Sequence, residues 1–139
     1  MILLDTSGLL AAIDSSQRHH SATVAVLRRL GGPFLLSPFV LAELDHLLAT
    51  RVSQAAASAL LAQVGDGAYR LEPMDASDID AARRILDRFG DLEIGLADAS
   101  VVVLAERHDC RDILTLDERH FRTLRASRNR RFRLLPADA

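Results

Sequence analysis

Short apolar runs alternate with longer segments of helical period along this chain. "ILLD" (2–5) predicts a short buried strand, closed by "DTSG". Helical pattern then runs to Gly31–Gly32, with a break near Asp14–Gln17. "FLLS" (34–37) predicts a second strand. Ser37 followed by Pro38 is an N-cap and first-turn proline for a helix reaching about Arg51. Ser53 can cap the next helix, which ends near "GDG" (65–67), and "YRLEPM" (69–74) reads as a strand. Asp75 or Ser77 opens a helix to about Gly90, and "GLADASVVVLAERH" (95–108) predicts another. "DILTLD" (112–117) and "FRLLP" (132–136) are the last strands.

Strands that alternate with helices throughout a chain imply parallel βαβ units and an α/β fold in three layers. In such sheets the chemistry lies beyond the carboxyl ends of the strands. Residues 1–139 read as a single domain, with no repeat, low-complexity tract or linker.

The helix at 95–108 raises a question of charge. Of the eight residues Ala97 to Leu104, all but Asp98 are small or apolar. A helix apolar nearly all round is buried. Val101, Val102 and Ala105 share the face of Asp98. An ionised acid taken out of water needs compensation.

Three further acids stand in similar places. Asp5 ends the first strand and Asp117 follows "ILTL", both at the ends where a parallel sheet puts its site. Glu43 is spaced to lie at the edge of the apolar stripe Val40, Leu44, Leu47, Leu48, whereas Asp45 and His46 point away from it as solvated groups. Each acid has a local explanation: an Asx-turn at Asp5, an N-cap at Asp98, an ion pair with a buried Arg at Glu43, the start of a short helix at Asp117. Taken together, two acids at strand ends and two facing inward from helices can converge. Four clustered carboxylates cannot all ionise without cations. Mg²⁺ or Mn²⁺ takes oxygen ligands and keeps positions for water and phosphate.

Composition narrows the chemistry. All 17 basic residues are Arg, which removes any mechanism that needs a lysine. A receiver domain needs a lysine near its acidic pocket, and a phosphatase with a strand-one Asp usually has a second Asp where this chain has Ser7. No apolar run approaches the ~20 residues of a membrane span. The start "MILLDTSGLL" lacks a basic region, so no signal peptide is expected. A lone cysteine, Cys110, makes no internal disulfide and reads as a small semi-buried filler, in keeping with a cytoplasmic setting. The net charge of −2 hides an uneven distribution: from Arg119 to Arg133 there are seven Arg and no acid. Of the five histidines none shows metal spacing, and His120, beside Asp117, is the one near the acids.

The ordered motifs "LLDTSGLLA", "SPFVLAELDHLL", "GLADASVVVLAERH" and "ILTLDERHF" resemble the PIN domain, most closely the VapC toxins of bacterial toxin–antitoxin pairs. The resemblance spans essentially the whole chain. It implies a five-stranded parallel sheet between helices and Mg²⁺- or Mn²⁺-dependent cleavage of RNA by one or two ions. It places Asp5, Glu43, Asp98 and Asp117 in the acidic set, and Thr6, Ser7 and Thr115 beside it as supporting hydroxyls. It also implies a tRNA or rRNA substrate, an antitoxin whose tail covers the site, and a homodimer. The stretch "VLAELDHLLATRVSQAAASALLAQV" (40–64) holds more apolar surface than one core face needs, or else is simple packing of two helices. Arg119, Arg122, Arg125, Arg128, Arg130 and Arg131 are the candidate RNA track, set against a solvated basic face. The rival reading from another class is a non-catalytic PIN-like module that binds RNA or protein.

Overall fold

The computed structural model describes all 139 residues. The elements are β1 (Ile2–Leu4), α1 (Thr6–Ile13), α2 (His20–Leu30), β2 (Phe34–Leu36), α3 (Pro38–Arg51), α4 (Gln54–Gly65) and β3 (Arg70–Leu71). Then come α5 (Ala76–Arg88), α6 (Leu96–His108), β4 (Asp112–Leu114), α7 (Glu118–Phe121) and β5 (Arg133–Leu135), with short 3-10 turns at Gly90–Leu92 and Ser127–Asn129. The five strands form one parallel sheet in the order β3-β2-β1-β4-β5. This is the α/β sandwich that the alternating pattern predicts.

The chain leaves β1 toward β2 and β3, then crosses back to β4 and β5. The order therefore reverses between β1 and β4, the switch point where open α/β sheets bind ligands. β1 is buried along its whole length, as an inner parallel strand must be. Its residues join Leu35, Leu36, Ile113, Leu114, Leu134 and the inward faces of the helices in one hydrophobic core.

Local chemistry sets the element starts. Ser37 caps α3 by accepting from Phe39 N at 3.1 Å, and Ser53 caps α4 by accepting from Ala56 N at 3.0 Å. Asp75 and Asp78 form a reciprocal capping box at α5. Two expectations need correcting. "YRLEPM" yields a strand of only Arg70 and Leu71, both exposed, because Pro73 cannot donate to a ladder and the segment is a sheet edge. "DTSG" does not merely close the strand ahead of the helix: Thr6–Gly8 already belong to α1. Gly8 is needed there, since a Cβ would lie 2.3 Å from the carbonyl oxygen of Leu114. The bare glycine lets α1 press against the end of β4, which brings Ser7 beside Thr115.

α6 is buried on nearly every side, through Ala97, Ala99, Ser100, Val101, Val103, Leu104 and Ala105. Its foot is locked by charge. Arg107 reaches Asp78 at 2.9 Å and the carbonyl of Pro73 at 2.8 Å, while His108 Nε2 contacts the buried carboxylate of Glu72. No helix is long and apolar enough to cross a membrane.

Candidate active site

Asp5 stands in the N-cap position of α1, yet makes no side-chain cap. This removes the local explanation for it. Its Oδ2 instead accepts from Thr115 Oγ1 at 2.7 Å and Ser7 Oγ at 2.9 Å. Ser7 in turn accepts from Leu116 N at 2.9 Å, and Thr115 Oγ1 from Asp117 N at 3.0 Å. The backbone after β4 thus orients both hydroxyls onto Asp5. Both bonds fall on one oxygen, so Oδ1 has no hydroxyl partner.

Burial raises the Asp5 carboxyl to about 6; the Thr115 hydrogen bond opposes this, and the charge of Asp98 reinforces it. Asp98 is also raised, first by burial, then by Asp117 and Glu43, against the lowering effects of the Gly95 N–H and His120. Asp98 thus acts on Asp5, and Asp117 and Glu43 act on Asp98, so charge links the four acids through Asp98. Asp98 sits in the first turn of α6, where Oδ2 accepts from Gly95 N at 3.1 Å. Asp117 caps α7 by accepting from His120 N at 3.1 Å. Asp117 thus fills the capping role foreseen for it, whereas Asp98 is not the N-cap: Gly95 holds that position, and Asp98, three residues on, reaches back to its N–H.

Glu43 departs from expectation. It is exposed rather than facing inward, because the buried stripe of α3 runs through Val40, Leu44 and Leu48. It overlooks the centre from the rim, near enough to disfavour the charge on Asp98, and no buried Arg pairs with it. Asp45, expected to be solvated, is half-buried. Thr6 does not join the hydroxyl network: its Oγ1 is buried without a partner.

His120 is the one basic side chain beside the centre. Its Nδ1 lies 2.8 Å from Asp117 Oδ2 and 4.0 Å from Asp98 Oδ2. The closer contact is out of line for a hydrogen bond, so it is an electrostatic contact only.

The donor set fits a hard divalent ion. It is all carboxylate oxygen, and no arginine pairs with Asp5, Asp98, Asp117 or Glu43. No three of the acid or histidine side chains close on a common point. That suits Mg²⁺, which keeps several waters and takes one or two carboxylates rather than a full protein cage.

The candidate RNA track divides. Arg122 forks onto Asp138 at 2.7 and 2.8 Å and reaches Glu118; Arg125 donates to the carbonyl oxygens of Arg122, Thr123 and Leu124. Arg130 pairs with Asp109. Arg128 stands 4.0 Å from Asp109 and is largely exposed. Arg119 and Arg131 are exposed, and their side chains form no hydrogen bond or ion pair within the chain. The absence of acids from 119 to 133 misleads here, because Asp109, Asp112 and Asp138 come from outside that stretch.

The PIN domain model matches residues 2–126. The chain belongs to the PIN-domain family. Ribonuclease VapC26 of Mycobacterium tuberculosis is 42% identical over 135 residues, covering 97% of this chain and all of that protein. The crystal structure of Mycobacterium tuberculosis VapC20, described as a Sarcin-Ricin loop cleaving toxin, superposes with a TM-score of 0.77 at 24% identity. It covers 84% of this chain and 90% of that one, which speaks for the shared PIN fold. The family likeness carried by four short motifs thus extends through nearly the whole chain.

Proposed function

We propose that this PIN-domain protein is a metal-dependent endoribonuclease, the toxin of a toxin–antitoxin pair. One observation carries the reading: Asp5 and Asp98 lie near the sheet's switch point with no arginine paired to either, both are held above their ordinary titration range, and Asp117 and Glu43 stand close enough to Asp98 to add to its shift. Kinship with a protein named a ribonuclease supports it.

Asp5 and Asp98 would hold Mg²⁺ or Mn²⁺, with Asp117 binding directly or through water. Glu43, at the rim, would hold a second ion or orient the attacking water. A divalent ion held there would supply a water of lowered pKa and would neutralise charge on the phosphate. Ser7 and Thr115 fix the Asp5 carboxylate by bonding one oxygen, which leaves the other without a hydroxyl partner and available to an ion. His120 holds Asp117 and, when protonated, offsets part of the acidic charge beside it. Thr6 is assigned no part.

The substrate class follows the charge balance: the metal-loaded centre attracts a phosphodiester that the bare acids repel. A tRNA or rRNA loop is the proposed target. Arg119, Arg128 and Arg131 are free to meet phosphates, and Arg122, Arg125 and Arg130 shape the surface behind them. The outer surface of α4 and its approach, with exposed Val52, Ala55, Ala59 and Leu61 and no charge from Val52 to Gly65, is the proposed homodimer face. A cognate antitoxin would cover the centre. A cytoplasmic location fits an RNA substrate.

The deciding experiment incubates purified protein with total RNA in chelator, Mg²⁺ or Mn²⁺ and maps new 5′ ends. Discrete cuts that need metal and vanish in Asp98→Asn are expected. A folded wild-type protein that binds RNA but cuts none with either metal is instead the non-catalytic module.

A further inference from the structure

A second feature of the switch-point rim lies outside the acidic cluster. A half-open cleft of about 210 Å³ runs between the start of α2, the β4–α7 connection and the chain just after β5. Its walls include His19, Thr115, Leu116, Glu118 and Pro136. Thr115 also donates to Asp5, so the cleft begins one side chain from the proposed metal centre. Its volume is below the roughly 300–1,000 Å³ of drug-sized sites. It suits one planar ring rather than a length of chain.

We propose that this cleft is a nucleobase subsite that selects guanine at a position flanking the cleaved phosphodiester. The inference rests on the nuclease reading and adds the base preference to it. Proteins read single-stranded RNA by splaying a base out, stacking it on a flat side chain and hydrogen-bonding its edge. His19 is an exposed ring on one wall and Pro136 a rigid apolar group on another. Glu118 supplies the edge. Its Oε2 takes a 3.3 Å bond from Arg122, whose fork is itself fixed on Asp138, and its Oε1 has no protein partner.

An ionised carboxylate only accepts. Among the four RNA bases, guanine alone presents two neighbouring N–H donors, N1–H and the N2 amino group, on its Watson–Crick edge. Adenine and cytosine set an acceptor beside their amino group, and uracil flanks its one N–H with two carbonyls. A carboxylate at that edge attracts guanine and repels part of every rival. The Glu118–Arg122–Asp138 chain holds the acceptor in place before the base arrives, which lowers the ordering cost of binding.

The test reads binding apart from cleavage. Uridine pentamers with a central guanine, inosine or adenine are titrated by fluorescence anisotropy into Asp5→Asn protein, which should not cut them. Guanine should bind about tenfold more tightly than adenine, the worth of one charge-assisted hydrogen bond. Inosine, lacking the N2 amino group, should fall between. Adding Glu118→Gln should bring the three affinities together, and adding His19→Ala should weaken all three alike. Equal binding of guanine and adenine with Glu118 in place, or a guanine preference that survives Glu118→Gln, overturns the proposal. Cleavage of total RNA by the unsubstituted protein is scored separately. Cutting with no guanine bias sinks the subsite alone. Absence of cutting sinks the nuclease reading, while the affinity ratios still judge the subsite.

Discussion

The two ends of α6 handle acidic charge in opposite ways. At the foot, Glu72 meets His108 and Arg70, Asp78 meets Arg107, Asp109 meets Arg130, and Asp112, just beyond, meets Arg133. At the head, Asp98 stands with Asp5, Asp117 and Glu43, and the one nearby basic side chain is His120. The chain has 17 arginines to place, so the lack of one at the head is not a shortage. Acids that serve the fold are paired where they lie. Acids that await a ligand are left for it to pair, and the metal-free fold bears the strain.

The largest effect should separate activity from stability. Asp5→Asn or Asp98→Asn should cut RNA cleavage by more than the ~10–100-fold that loss of an outer-shell partner costs a metal site. The same changes should not destabilise the metal-free fold. Asp5 is raised from 3.8 to about 6, so the folded state holds its proton more tightly than the unfolded chain. Its favourable contribution is full below its unfolded value and is lost as pH rises through about 6. At ~1.4 kcal/mol per unit, the charged form strains the fold by on the order of 3 kcal/mol. Asp5→Asn should therefore melt above wild type at pH 7.5 in chelator, and the gap should narrow toward pH 4. A variant that cleaves normally, or a gap that widens in acid, breaks the contrast between the two ends.

Metal should relieve the same strain. An ion at one hundred times its dissociation constant adds ~2.7 kcal/mol to a fold it alone recognises. For a chain of this length that is on the order of ten degrees in melting temperature. Mn²⁺ should act at lower concentration than Mg²⁺, and the shift should shrink toward pH 4 as the ligands protonate. Thermal melts of wild type and Asp5→Asn with chelator, Mg²⁺ and Mn²⁺ measure this. Equal shifts in the two proteins would mean that Asp5 is not part of the site.

Much of the head of α6 is legible in the sequence. Asp98 is conspicuous because its neighbours are apolar, and Asp5 and Asp117 because each follows a short apolar run. The caps at Ser37, Ser53 and Asp75 also follow from local pattern. What escapes depends on distant partners. Periodicity places Glu43 inward, but its position at the stripe's border leaves it exposed above the centre. Gly8 gives no local sign that α1 presses against Leu114. Glu72 and His108 are 36 residues apart, and nothing in either segment announces the other. Pairing across the fold, rather than type or period, decides these positions.

The foot of α6 predicts a change that strikes the fold and spares the chemistry. Glu72 is buried, and Glu72→Gln removes the charge that faces His108 and Arg70. Loss of a buried hydrogen-bonding partner costs about 1–3 kcal/mol. The melting temperature should fall by several degrees, while RNA cleavage per folded molecule stays at the wild-type level. Denaturant unfolding and a cleavage assay on the same preparation check both halves. Loss of cleavage in a folded Glu72→Gln protein would show that the foot is coupled to the head.

The smallest effect belongs to the arginines, and the comparison sharpens there. If pairing marks structure and freedom marks function, the tail residues should sort by partner. Arg119 and Arg131 have no internal partner, whereas Arg130 is committed to Asp109 and the Ser127 carbonyl. Removing one arginine from a phosphate of single-stranded RNA lowers the salt dependence of binding by up to ~0.7 in log–log slope. Arg119→Gln with Arg131→Gln should flatten that slope while leaving the stability within about half a kcal/mol of wild type, as surface changes usually do. Arg130→Gln should do the reverse, keeping the slope and lowering stability slightly, since exposed pairs contribute at most ~1 kcal/mol. Anisotropy titrations of a labelled RNA at several salt concentrations, paired with thermal melts, separate the two. If Arg130→Gln flattens the slope as much as the double variant, the internal pair opens on binding RNA, and pairing in the free protein does not sort the basic residues by role.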